Sequence, residues 1–461
     1  MDHEDLRRWS KRTADWAADY HATLRDRPVR AATKPGAVRA ALPAAAPETP
    51  EAPEAIWADF ERLVPENMTH WQHPRFFAYF PANAAPASIW AEQAANAMAA
   101  QCMLWQTSPA ATEIEEVMVG WLVRALGLPE AWRGTIHDSA TTATLCAVLT
   151  MRERATGWAG NAEGLAGQPR LRLYASAETH SSVDKAARLS GIGQANLVKV
   201  PTDPGRAMDP AALAAAIAAD RAAGHVPAGV ILCAGGTSTG AFDRIGESVA
   251  VAKAAGLPVH VDAAWAGSAM ICPEFRPLWA GVEAADSVVF NPHKWLGAQF
   301  DCAVQLMADP APQVRTLGLK PDYLQTLGAG AVTDFNDWTV PLGRRFRALK
   351  LWFLLRAEGL EGLRARIRAH VAWAGEAAVA IGDLPGVEIV TPPSLALFSF
   401  ALAAGEAATE ALLRRLNDDG RVYLTQTRVG GRLAIRVSVG GWATTRDDVM
   451  LLPDLVAAAL P

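Results

Sequence analysis

The chain has 461 residues, 51% hydrophobic and 20% charged, with 43 Lys+Arg against 48 Asp+Glu for a net charge of −5. That balance gives no electrostatic reason to expect nucleic acid or an anionic membrane surface as partner, and it leaves small neutral or zwitterionic ligands. The length suggests two or three domains. The five cysteines (Cys102, Cys146, Cys233, Cys272, Cys302) are widely spaced and set in apolar surroundings, so reduced buried thiols are expected and a metal site is not.

The N-terminus lacks the apolar stretch of a secretion signal, and no apolar run reaches the roughly 20 residues that span a bilayer, so a cytoplasmic protein is expected. Residues 3–25 place Leu6, Trp9, Trp16, Tyr20 and Leu24 near helical spacing, which predicts a helix with one sticky face. The Ala/Pro-rich "ALPAAAPETPEAPEAI" that follows reads as an extended connector without a core of its own. The first helix is therefore expected to pack on something other than its immediate neighbours, a partner subunit being one candidate.

From about residue 110, β-rich runs ("RLRLYAS", "GVILCAG", "LPVHVDAA", "DSVVFN") alternate with alanine-rich helical stretches ("DPAALAAAIAADRAAG", "IGESVAVAKAAG"). This alternation predicts a mainly parallel sheet in a three-layer α/β domain, with ligands at the carboxyl ends of its strands. "PLGRRFRALKLWFLLRAEG" predicts a long helix, after which "GVEIV", "LALFSF" and "RLAIRVSV" suggest a smaller α+β domain.

Four segments carry candidate chemistry. In "IHDSATTATLCAVL", Ser139, Ala140 and Thr141 open an apolar helix, where free N–H groups and hydroxyls suit a phosphate or an ordinary N-cap. His180 follows the strand "RLRLYAS" and reads either as a structural histidine or as a ring stacked on a flat ligand. Asp262 ends the apolar strand "LPVHVD", and Lys294 follows the next one, "ADSVVF". A lysine at a partly buried strand end loses hydration, so its neutral, nucleophilic form is favoured. Paired with an aspartate at a neighbouring strand end, it suits a pyridoxal phosphate site: the lysine forms a Schiff base and the carboxylate keeps the pyridine nitrogen protonated. A surface ion pair uses the same residue types.

The segments "MTHWQHPRFFAYFPAN", "WQTSPAATEIEEVM", "ETHSSVDKA", "HVDAAWAGSAMICPEFR", "NPHKW", "PDYLQT" and "PLGRRFRALKLWF" resemble, in order, the group II pyridoxal-phosphate decarboxylases, aromatic L-amino acid decarboxylase branch. The resemblance covers almost the whole chain. It implies a fold-type I, aminotransferase-like architecture, with an N-terminal helical segment packing on the partner subunit (1–85), a large cofactor-binding domain (86–345) and a small C-terminal domain (346–461). It also implies an intertwined homodimer in which both subunits contribute to each site. Position by position, it assigns Lys294 to the Schiff base, Asp262 to the pyridine nitrogen, His180 to stacking and Ala264 to the space beneath the ring. Ser139, Ala140 and Asn291 become phosphate ligands, with Thr237 and His293 in the same shell.

Trp71, Tyr79, Phe80 and Pro81 match the aromatic wall of the substrate pocket, although "HPRFFAYFP" alone would read as core. The resemblance also places Ala82, Met103 and Ala396 in the pocket, Ala396 at the position associated with ring selection. Tyr323, beside a glycine-rich stretch, matches the residue that returns a proton to the substrate carbon; relatives with phenylalanine there release aldehyde, ammonia and peroxide. The expected activity is decarboxylation of an aromatic L-amino acid, tryptophan ahead of phenylalanine, tyrosine or dopa. An oxidative aldehyde synthase is the alternative. A glutamate decarboxylase would need cationic groups for a side-chain carboxylate, and nothing in the sequence supports a non-catalytic cofactor-binding protein.

Overall fold

The computed structural model describes residues 2–319 and 332–460. Seven strands, β1 (Arg133–His137), β2 (Leu171–Ser176), β3 (Leu197–Val200), β4 (Val226–Cys233), β5 (Val259–Asp262), β6 (Ser287–Phe290) and β7 (Ala303–Met307), form one sheet in the order β1-β7-β6-β5-β4-β2-β3. β7 runs antiparallel to both neighbours and the remaining pairings are parallel. The sheet is mainly parallel, as the alternation of runs predicts.

Burial on both faces explains why these strands read as nearly unbroken apolar runs. Leu171, Leu173, Ala175 and Ile231 point into one cluster with Val148, Met151, Val183 and Ala186. Tyr174, Val230 and Leu232, the alternate positions, point into another with Leu213, Ile217 and Val249. The helices Ala140–Ala155 and Ser181–Leu189 thus cover one face and Pro210–Ala222 and Ile245–Ala254 the other.

The long helix spans Arg347–Gly382 and breaks at Gly359, whose φ of 63° and ψ of 164° interrupt it where the predicted segment ends. A four-stranded antiparallel sheet follows, β10-β11-β9-β8, built from β8 (Val387–Ser394), β9 (Leu397–Leu402), β10 (Thr425–Val429) and β11 (Arg432–Ser438).

At the other end, the helix His3–Ala22 carries a capping box made by Asp2 and Asp5. Its aromatic face does find a partner within the chain. Trp9 and Trp16 meet Trp57, and Trp16 meets Phe60, on the helix Pro53–Leu63 across the connector. No residue of the first helix is buried by this pairing. All five cysteines are buried and free. Among the described residues no helix is long and apolar enough to cross a membrane.

Candidate active site

β5 and β6 run side by side, and their register sets Asp262 opposite Val289. The chain then leaves both strands at the same edge, where Ala263 N donates to Val289 O at 2.9 Å and Asn291 N to Ala264 O at 2.8 Å. Two residues that look remote in the sequence are therefore brought together by strand pairing. Lys294 sits in the turn Pro292–Leu296 with non-helical angles (φ −92°, ψ −107°). Gly297 closes that turn at φ 104°, and a Cβ there would meet the Trp442 ring at 2.2 Å, so only glycine fits.

Asn83 holds this turn from outside. It is buried, its Nδ2 donates to Lys294 O at 2.6 Å and to Gly440 O at 2.7 Å, and its Oδ1 accepts from Trp442 N at 2.7 Å. Its own N–H reaches His293 O at 2.7 Å. One amide thus joins the N-terminal segment, the lysine turn and the end of the small sheet.

Lys294 lines a cavity of about 550 Å³ together with Trp71, Gln72, Tyr79, Phe80, Ala82, His180, Thr237, Trp265, His293 and Phe300. Burial, with the Arg436 guanidinium nearby, holds the Lys294 ammonium below its ordinary value, and the Asp262 carboxylate opposes this. Among the described residues its amine has no hydrogen-bond or ion-pair partner. Asp262 Oδ1 accepts from Ala264 N at 3.1 Å. His180 caps the helix Ser181–Leu189, its Nδ1 accepting from Ser182 N at 3.2 Å. Burial and the Lys294 charge lower its pKa, against Asp262. His293 Nδ1 accepts from Cys302 N at 2.8 Å, and burial brings its pKa down to about 3, so it is a neutral ring at physiological pH.

Ser139 caps the helix Ala140–Ala155, accepting from Thr142 N at 3.2 Å, so Ala140 and Thr141 occupy a first turn whose amides have no partner inside the helix. Ala140 packs with Ala143, Val289 and Ala264, which sets that helix start against the ends of β5 and β6. Asn291 is buried beside it, and its Oδ1 has no hydrogen-bond partner among the described residues.

The predicted site residues therefore fall into two connected groups. Trp71, Tyr79, Phe80, Ala82, His180, Thr237, His293 and Lys294 line the cavity, while Ser139, Ala140, Thr141, Asp262, Ala264 and Asn291 build the strand-end platform next to it. Pro81 is buried between two lining residues.

Two of the expected pocket residues lie off the cavity as this single chain forms it. Ala396 is fully buried, its carbonyl paired with Val439 N at 2.8 Å, and it does not line the cavity because the crossing from β8 to β9 carries it into the core. Met103 is not a lining residue either; its carbonyl is tied to Asn336 N at 3.0 Å. Tyr323 lies outside the described residues.

Sequence reasoning missed Gln72, Trp265 and Phe300 on the wall and Asn83 behind it. Trp265 was within reach, three residues past Asp262. Its ring stacks on Phe80 at 4.9 Å and its Nε1 donates to Gly235 O at 2.6 Å.

An amine with no partner among the described residues, a carboxylate whose charge it feels, a histidine lining the same cavity and a helix start with free amides fit pyridoxal phosphate: Lys294 would join it, Asp262 would face its ring nitrogen, and Ser139, Ala140 and Asn291 would hold its phosphate. The fold and this site define an enzyme of the pyridoxal-phosphate class. The chain belongs to the pyridoxal-dependent decarboxylases, the conserved domain of that family matching residues 35–403. It is 38% identical to the aromatic-L-amino-acid decarboxylase of Rattus norvegicus over 453 residues, 95% of this chain and 94% of the relative. It is 35% identical to the phenylacetaldehyde synthase of Arabidopsis thaliana over 468 residues, 97% and 94% of the two chains. The crystal structure of Oryza sativa TDC with PLP and tryptamine superposes with a TM-score of 0.96 at 35% identity, covering 100% of this chain and 98% of that one. The architecture is accordingly fold-type I, and the enzyme is a pyridoxal-phosphate-dependent carboxy-lyase.

Proposed function

We propose that the protein decarboxylates an aromatic L-amino acid to its amine and carbon dioxide, with tryptophan favoured and phenylalanine, tyrosine or dopa next. The observation that carries the substrate class is the cavity itself, in which Lys294 shares one space with Trp71, Tyr79, Phe80, Trp265 and Phe300. When bound, pyridoxal phosphate supplies the electron sink that takes up the pair left as the carboxylate departs.

The chain's own residues do the rest. Burial lowers the pKa of Lys294 Nζ and so favours its nucleophilic form. Asp262 would hold a proton on the ring nitrogen of the cofactor, and His180 would flank the ring. The apolar wall solvates the substrate carboxylate less well than water does, and its concentrated charge is disfavoured there more than the dispersed charge that follows. Tyr323 is the proposed proton donor to the substrate carbon.

Amine and carbon dioxide released from a panel of amino acids test the reading. Aldehyde with stoichiometric peroxide would move it to the oxidative alternative, which the likeness to a phenylacetaldehyde synthase keeps in view. Tyr323→Phe is expected to shift product from amine to aldehyde, and an unchanged product ratio refutes the tyrosine's role.

The working unit we propose is a homodimer in the cytoplasm. Large apolar side chains left exposed on helical faces, among them Leu6, Ile56, Trp90 and Met98, support the dimer. Light scattering reads the mass directly, and a monomer at micromolar concentration rejects it.

A further inference from the structure

Behind the aromatic wall lies Arg436, on β11, which is 3% exposed. Among the described residues no carboxylate pairs with it. Burial alone brings the guanidinium down to about 9. Its hydrogen bonds go to main-chain carbonyls: Nε donates to Thr237 O at 2.6 Å, and Nη1 donates to Tyr79 O. Ser438, two residues on and on the same face of the strand, also donates its hydroxyl to Tyr79 O. Arg436 Nη2 is buried and has no hydrogen-bond partner among the described residues.

Tyr79 needs such holding. Its φ is 48°, the left-handed region that a side chain with a Cβ rarely adopts, and its own N–H has only a long bond to Thr425 Oγ1, 3.4 Å. In this conformation its ring stacks on Trp71, with centroids 5.5 Å apart and planes 17° from parallel. Both rings line the cavity, as does Thr237. A buried guanidinium without a counter-ion is less favourable than an apolar side chain of similar volume. What an apolar residue would lack is the rigid fork that fixes two carbonyls, from segments far apart in the chain, at one spacing.

We propose that Arg436, seconded by Ser438, is a positioning residue for the substrate's ring: it locks Tyr79 in its left-handed turn, seats that ring on Trp71 and so sets the width of the aromatic wall. It acts through Tyr79. The small domain thereby governs which ring the large domain's lysine receives. This rests on the aromatic amino acid reading above.

The test uses the full-length holoenzyme with Arg436→Met, Arg436→Lys and Ser438→Ala. Hydrogen exchange of the 76–82 segment, measured without substrate, reports the turn independently of turnover; it should speed about tenfold in Arg436→Met and about threefold in Ser438→Ala. KM for L-tryptophan should rise about tenfold in Arg436→Met while kcat changes less than about threefold, and the preference for tryptophan over phenylalanine should shrink. Arg436→Lys should recover part of both. If Arg436→Met fails to fold, Ser438→Ala carries the same directions.

Unchanged exchange together with an equal rise of KM for every amino acid would overturn the proposal, because the guanidinium would then be serving the common carboxylate. A loss of kcat at constant KM would overturn it too. Should the wild-type enzyme release no amine from any aromatic amino acid, the substrate reading fails, while the exchange experiment still decides whether Arg436 holds the turn.

Discussion

The platform of the active site and its wall are built by opposite means. Asp262, Ala264, Asn291 and Lys294 lie within 33 consecutive residues and are set by the register of two adjacent parallel strands. Trp71, Tyr79 and Phe80 come from an N-terminal segment that no strand of the large sheet holds. Their positions depend on Asn83, on Ser438 and Arg436, and on a short main-chain pairing with the small domain, in which Phe77 N donates to Tyr423 O at 3.0 Å, Ser438 N to Phe77 O at 3.0 Å and Tyr423 N to Arg75 O at 3.3 Å. A platform fixed by sheet register tolerates change in its surroundings, whereas a wall fixed by a few long-range hydrogen bonds is sensitive to each of them.

The largest effect should come from the platform. Lys294→Ala removes the amine altogether and should lower amine release by at least about 10³-fold while leaving the cavity open; a variant retaining a tenth of the activity would break the assignment. At the seam between platform and wall, Asn83→Leu strands the carbonyls of Lys294 and Gly440 and the amide of Trp442. Each unsatisfied group costs about 1–3 kcal/mol, so chemical denaturation should show a loss of several kcal/mol. A loss below about 1 kcal/mol would mean that the seam does not depend on this amide.

Acid should reveal how much of the structure rests on neutral buried histidines. Burial brings His73 and His137 down to about 4 and His260, His293 and His370 down to about 3. The unfolded chain binds those protons near pH 6.5 and the folded chain does not, so folding stability is present above 6.5 and is lost as the pH falls below it. Asp243, raised by burial to about 6, works the other way by one proton. His21, His70 and His180 are lowered as well, so the histidines outweigh Asp243 and the net slope has their sign, about 1.4 kcal/mol per pH unit for each uncompensated proton. The melting temperature should fall steeply between pH 6.5 and 5, and a flat profile would show that these rings protonate in the folded state.

The smallest effect is expected at Ala396. Enclosed in the core and away from the cavity, it should leave the ratio of rates on tryptophan and tyrosine within about twofold when changed to glycine, with a modest loss of stability. A reversal of ring preference would restore the role that sequence resemblance gave it.

What was legible in the sequence follows the same division. β5 and β6 announce themselves as apolar runs, and the charges at the end of the first (Asp262) and just past the end of the second (Lys294) stand out against them. The helix start at Ser139 is equally local. Arg436 was illegible: it sits in "RLAIRVSV" with the alternation of an ordinary strand, and only the tertiary fold shows that its face points at Tyr79 and Thr237. Ala396 is the converse case, since a turn between two strands decides whether a small residue faces a cavity or, as in this single chain, the core. The pairing of the first helix with the helix Pro53–Leu63 was missed because the connector hides how near its two ends lie.

Reducing the holoenzyme with borohydride and mapping the modified peptide probes the chemistry at its source. A pyridoxyl group on Lys294, with loss of the yellow chromophore and of amine release in proportion, is the expected result. A label on any other lysine, or a chromophore that survives reduction, would contradict the assignment of this amine as the cofactor's anchor.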